Sequence, residues 1–158
     1  MPPLRRARLK QTLLTRAQAA LDTARAAHAA AVEGATHSEA RAENDKDTRG
    51  LEQSYLARGL AGRVAELDGA LGAIAHLPDI TDGARAGLGA LITAEDEDGA
   101  THRYYLAPWG GGEVLPGDVV VVTPSSPIGR ALVGRAAGDD VEIQRPGGAR
   151  TLTVVSIA

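Results

Sequence analysis

A chain of 158 residues with a formal net charge of -3 has room for one ordinary domain or two small ones. Its prolines argue for two, because all except Pro2 and Pro3 lie at position 78 or later. The absence of cysteine excludes a disulfide framework and any thiolate metal site, and suits a reducing compartment. No apolar run approaches a membrane span, and the basic N-terminus lacks the apolar stretch of a signal peptide, so a cytoplasmic protein without membrane contact is expected.

From Leu4 to Leu77 the chain is free of proline. Leu14, Ala17, Leu21, Ala24, His28 and Ala31 recur at alternating spacings of three and four, which is the seam of a coiled coil and not the period of a strand. This predicts a first helix over about 4–37. Leu60, Val64, Leu67, Leu71 and Ile74 repeat the spacing, with Leu51, Tyr55 and Leu56 expected to extend the apolar side toward the chain reversal. Two facing seams joined by a short connection predict an antiparallel helical hairpin. Gly34 with Thr36, or Gly50, offers a place to turn, so the tip is expected within 34–45. Glu33, Glu39, Glu43, Asp45, Asp47 and Glu52 gather around it, while Arg5, Arg6, Arg8 and Lys10 make the other end basic. Such a basic stem is either a solvated face or a surface that neutralises phosphates of an approaching polyanion. Gly59, Gly62, Gly69 and Gly72 weaken the second helix, unless they admit its partner at a close crossing.

Pro78 disfavours a helical residue before it, so the second helix is expected to stop at His76 or Leu77. This sets a hairpin domain over 1–78, a linker over 79–85 and a second domain over 86–158. In the second domain 88–93 and 101–106 flank the acidic turn 95–99 as a hairpin, and 119–122 is a short buried strand. Ser126, Pro127 and Gly134 give an N-cap, a proline at the first helical position and a terminating glycine for one short helix. Stretches 141–144 and 151–157 pair around Pro146, Gly147 and Gly148. The expected architecture is a coiled-coil hairpin followed by a small antiparallel sheet carrying one short helix, an α+β domain.

The run Ser125-Ser126-Pro127-Ile128-Gly129-Arg130-Ala131-Leu132-Val133-Gly134, followed by Gly138-Asp139, Pro146-Gly147-Gly148 and the closing Val154-Val155-Ser156-Ile157, resembles the C-terminal signature of the Gre transcript-cleavage factors. Glu43-Asn44 and Glu52-Gln53 resemble that family's hairpin tip and descending helix. The resemblance implies an FKBP-like C-terminal domain that docks on the rim of the secondary channel of bacterial RNA polymerase, through Ser125, Ser126 and Pro127. It further implies a hairpin whose acids reach toward the active centre, where they help hold a magnesium ion shared with the polymerase and promote hydrolysis of backtracked RNA. The protein would then be no enzyme but a cofactor of the polymerase's own RNA hydrolysis, with no metal or cofactor bound alone. The basic stem would face nascent RNA near its 3′ end.

The tip departs from the family pattern. Ala40 stands where the family has an aspartate three residues before its glutamate, and Asp47 where it has a tyrosine. Glu39 lies four residues before Glu43, a spacing that also places two carboxylates on one helix face, and Asp45 and Asp47 are reserves. Two outcomes therefore stand open: a working Glu39–Glu43 pair, or a channel-binding regulator that modulates or inhibits the polymerase without stimulating cleavage. Prolyl isomerisation is disfavoured, since only Tyr104, Tyr105 and Trp109 offer aromatic lining in the second domain. Gly110-Gly111-Gly112 lacks the Gly-Lys-Ser/Thr of a phosphate loop. A coiled-coil scaffold would explain the first half but not the second.

Overall fold

The computed structural model describes residues 3–40, 49–80 and 84–158. Two long helices, α1 (Pro3–Ala40) and α2 (Arg49–Ala75), precede six strands and one short helix: β1 (Leu91–Asp96), β2 (Thr101–Leu106), β3 (Val114–Leu115), β4 (Val119–Val122), α3 (Pro127–Leu132), β5 (Asp140–Arg145) and β6 (Gly148–Ile157). The chain divides into two compact units, one comprising Thr15–Gly72 and the other Met1–Leu14 with Ala73–Ala158.

In the helical unit the two helices run antiparallel. Gln53 lies against Gly34 and Arg25 pairs with Asp68 at 3.7 Å, so positions rise along α1 as they fall along α2. The buried side of α1 follows Ala17, Leu21, Ala24, Ala31 and Ala35, with His28 half-buried on the same seam. Leu67 is its fully buried counterpart on α2, flanked by half-buried Leu60, Val64 and Leu71. Alanine dominates one side of this seam, and small side chains leave a groove of about 470 Å³ bordered by Ala20, Ala24, Ala27, Leu60 and Leu67.

Three expectations change here. Gly34 and Thr36 do not turn the chain: α1 continues through both to Ala40, with Thr36 Oγ1 donating to the Val32 carbonyl at 3.0 Å inside the helix. Leu51, Tyr55 and Leu56 do not extend the seam, being 57%, 62% and 52% exposed. The inward phase runs instead through Gln53 and Ala57 to Leu60, so polarity and burial part company where the seam nears the distal end. Nor do the α2 glycines admit α1. Among the described residues, nothing lies within 4 Å of where a side chain would begin at Gly59, Gly62, Gly69 or Gly72.

In the second unit the strand order is β3-β4-β2-β1-β6-β5. Four of its pairings are antiparallel, as the alternating strands and tight turns predicted, but β2 and β4 run parallel, Arg103 opposite Val119 and Leu106 opposite Val122. Residues 107–118, which connect them, are long enough for the crossover that a parallel pair requires, roughly a dozen residues. β4 is four consecutive valines, which suits a strand covered on both faces.

One face of the sheet carries Ile92, Ala94, Tyr104, Leu106, Val122, Val141, Ile143, Leu152 and Val154, and Leu132 of α3 closes over it. Alternation along β2 sends Tyr105 to the opposite face, where it is 2% exposed. In the same unit Leu9 and Leu13 of α1 are fully buried. Leu13 lies so close to Gly110 that a side chain there would meet its Cδ1 at 2.9 Å, and Gly110 itself has φ +88. Gly110 is thus closely packed within its turn, whereas Gly112 is open. Burial pushes the Tyr105 hydroxyl up to about 12; Asp79 adds to the shift and Arg6 opposes it.

Candidate functional site

The Ser125–Gly134 block is built around α3. Ser126 caps the helix by accepting from the Gly129 N–H at 3.0 Å and donates its own hydroxyl proton to the Thr123 carbonyl at 2.7 Å. Pro127 occupies the first turn, and Gly134 at φ +82 ends the motif, its N–H donating to the Ala86 carbonyl at 2.8 Å. Gly129 is required for a separate reason: any side chain would fall on the carbonyl of Thr123. The loop therefore lies against the helix, leaving Ser125, Pro127 and Arg130 exposed and Ser126 half-buried.

Beside this loop lies a cavity of about 510 Å³, predominantly apolar, between α3 and the sheet. Val120, Val122, Ile128, Ile143 and Leu152 form its apolar walls, and Ser126 with Pro127 stands on one edge. Tyr104 lines it, whereas Tyr105 is buried on the opposite face and Trp109 is not part of the lining. Tyr104 is thus the one aromatic side chain in its lining among the described residues.

Arg145 and Arg150 occupy the opposite edge of the cavity. Arg150 is not free: its guanidinium donates to Asp96 Oδ2 and lies 2.9 Å from His102 Nε2. His102 Nε2 in turn lies 2.8 Å from the same Asp96 oxygen, and its ring stacks on Tyr104 at 6.3 Å between centroids. The other Asp96 oxygen accepts from the Asp98 and Ala100 N–H groups of the β1–β2 turn, both at 2.9 Å. With its side chain only 4% exposed and four donors around it, Asp96 is held well below the usual carboxylate range, chiefly by His102 and then by Ala100. Neither Asp96, His102, Arg145 nor Arg150 was singled out by sequence reasoning. Their signal is an alternation in which His102 shares a strand face with Tyr104, and Arg150 with Leu152.

The basic stem divides. Arg8 is exposed, whereas Arg5, Arg6 and Lys10 are half-buried. Lys10 Nζ donates to the Leu77 carbonyl at 3.2 Å, and Arg6 Nη1 is buried without a hydrogen-bond partner among the described residues. At the distal end of the helical unit Glu33 and Glu52 are exposed. The backbone of Glu39 belongs to the last turns of α1, but its side chain, and Glu43, Asp45 and Asp47 altogether, lie outside the described residues, as does the part of the expected tip beyond Ala40. Among the described residues no cluster of three or more His, Asp or Glu side chains is placed to hold a metal ion, and no helix is long and apolar enough to cross a membrane.

Residues 81–158 match the family model described as transcription elongation factor, GreA/GreB, C-terminal. The transcription elongation factor GreA of Polaromonas naphthalenivorans is 33% identical over 125 residues, covering 76% of this chain and 77% of that protein. That of Verminephrobacter eiseniae is 34% identical over 101 residues, and there the chain spans 61% of the relative's length. Among solved structures, GreA factor homolog 1 (Gfh1) of Thermus thermophilus covers 92% of this chain and 94% of its own at 20% identity, with a TM-score of 0.42. An identity of 33% over a region covering 76% of this chain and 77% of the relative, together with the C-terminal match and a helical hairpin ahead of the sheet, shows that this chain belongs to the GreA/GreB family of transcription elongation factors.

Proposed function

We propose that the protein is a Gre-type elongation factor that docks on the rim of the secondary channel of bacterial RNA polymerase, presents the acidic end of its hairpin to the active centre and stimulates cleavage of backtracked RNA. The observation that carries this reading is the Ser125–Gly134 block, folded as an exposed loop on the edge of an apolar cavity in a chain of this family. Ser125 and Pro127 are the exposed docking side chains, while Ser126 sets their backbone through its cap. In this reading Glu39 and Glu43 are the assisting acids, with Asp45 and Asp47 in reserve, and Arg8 leads Arg5, Arg6 and Lys10 in meeting nascent RNA near its 3′ end.

The hydrolysis belongs to the polymerase, and so does the metal: magnesium in that active centre supplies the activated water. The carboxylates of this chain add negative charge that favours cation binding in a place the polymerase fills poorly by itself. The protein is therefore a cofactor of another enzyme, and a cytoplasmic setting follows.

A second reading is favoured by one residue. Ala40 replaces the family's aspartate, which leaves a tip able to occupy the channel without completing a carboxylate pair, and hence a regulator that modulates or inhibits without cleavage. Stalled, backtracked elongation complexes separate the two. Added wild-type protein is expected to shorten the RNA from its 3′ end, and Glu43→Ala to abolish that shortening while retaining binding. Binding with no shortening by the wild type would establish the regulator instead.

A further inference from the structure

Tyr104, His102, Asp96 and Arg150 make a continuous row across three neighbouring strands, from the lining of the cavity to its edge. Strand register puts them there: Ala94 pairs with His102, Asp96 with Leu152, and Ile143 with Arg150, so the polar side chains sit on the same sheet face as the apolar cavity walls. Asp96 is gripped from the turn side by two backbone N–H groups, which leaves its second oxygen fixed toward Arg150 and His102. An arginine at an exposed edge ordinarily samples many rotamers, and a fixed carboxylate removes most of them before a partner arrives. Arg150 retains 30% exposure of its side chain and faces the cavity as well as Asp96. Arg145, on the same edge, is exposed and makes no ion pair among the described residues. Two arginines beside an apolar hollow are complementary to a segment in which an apolar side chain adjoins a carboxylate.

We propose that Asp96 and His102 are positioning residues that fix the guanidinium of Arg150 at the cavity edge, where it and Arg145 pair with a carboxylate of the protein segment seated in the cavity. This rests on the docking reading above and names the chemistry of the docked segment: an apolar anchor with an adjacent acidic residue on the polymerase.

The test measures binding of the full chain to bacterial core RNA polymerase across a salt series, with the fold of each variant checked by its thermal midpoint. Pro127→Glu, at an exposed position in the loop, tests the docking reading itself; unchanged affinity, or no binding by the wild type, removes that reading and this inference with it. If Pro127→Glu abolishes binding, the remaining variants test the inference alone. Arg150→Gln and Arg145→Gln are expected to weaken binding roughly tenfold each and to flatten its salt dependence. Arg150→Lys keeps the charge but loses the fork, and is expected to weaken binding severalfold. Asp96→Asn adds one unit of positive charge, so charge counting alone demands tighter binding to an acidic segment, whereas loss of positioning demands weaker binding. Wild-type affinity in Arg150→Lys, or tighter binding by a folded Asp96→Asn, overturns the proposal. If Asp96→Asn does not fold, Arg150→Lys decides.

Discussion

At the scale of single residues, Gly129 shows how a motif position can be dictated by backbone proximity. The Thr123 carbonyl occupies the space a methyl group would need, and that carbonyl is itself fixed by the Ser126 hydroxyl. Gly129→Ala is therefore expected to destabilise the second unit by about 1–3 kcal/mol, read as a lower denaturant midpoint with unchanged slope. Asp96 and Tyr105 each contribute to one end of the pH dependence of stability. Because the native carboxyl of Asp96 is depressed, the unfolded chain takes up its proton first as pH falls below about 4, so the stabilisation present at neutral pH is lost in acid. Asp96→Asn should flatten that acid limb in urea titrations run at successive pH values. The native hydroxyl of Tyr105 is raised to about 12, so its contribution is complete below the unfolded value near 10 and is lost as pH climbs between the two. Tyr105→Phe should remove this alkaline loss, and an unchanged alkaline limb would place its cause in another group. The cap, the proline and the terminating glycine of α3 were legible because each acts within a few residues of its own backbone. The Asp96–His102–Arg150 cluster was not, because Asp96 and Arg150 are 54 positions apart and meet only through strand register.

Among the elements, α2 is instructive because its hydrophobicity and its burial disagree. Apolar Leu51, Tyr55 and Leu56 face outward, Tyr55 with the Arg58 guanidinium 5.8 Å from its ring centre, while Gln53 turns toward α1. Helical phase is fixed by the longer run Leu60, Val64, Leu67 and Leu71, and the first turns must follow it whatever their residue types. Reading apolar residues singly picked the wrong face for these turns and the right one for the rest. The same helix is weakened by Gly59, Gly62 and Gly69, where nothing described lies within 4 Å of an added side-chain carbon, and each is expected to lose up to ~1 kcal/mol of helix stability relative to alanine. Replacing Gly59, Gly62 and Gly69 by alanine should raise the thermal midpoint and slow amide exchange in the helical unit. A fall in midpoint would show that one of these positions is closely approached after all. The parallel β2–β4 pair was likewise beyond a local reading, since strand pattern reports what is buried and not which neighbour buries it.

On the scale of the whole molecule, composition had already separated a proline-free helical half from a strand-rich half, and both are present. The Ser125–Gly134 loop was visible as a motif and now has a cavity beside it, whereas the side chains of the acids proposed to assist cleavage lie outside the described residues. The proposed association with the polymerase therefore comes first, and any chemistry at the tip depends on it. Its most direct test is competition between the full chain and an established GreA protein for bacterial core RNA polymerase. Displacement at micromolar concentration or below, lost in Pro127→Glu but kept in Glu43→Ala, is the predicted result. Failure of the wild-type chain to bind the polymerase or to displace GreA at that concentration would contradict it.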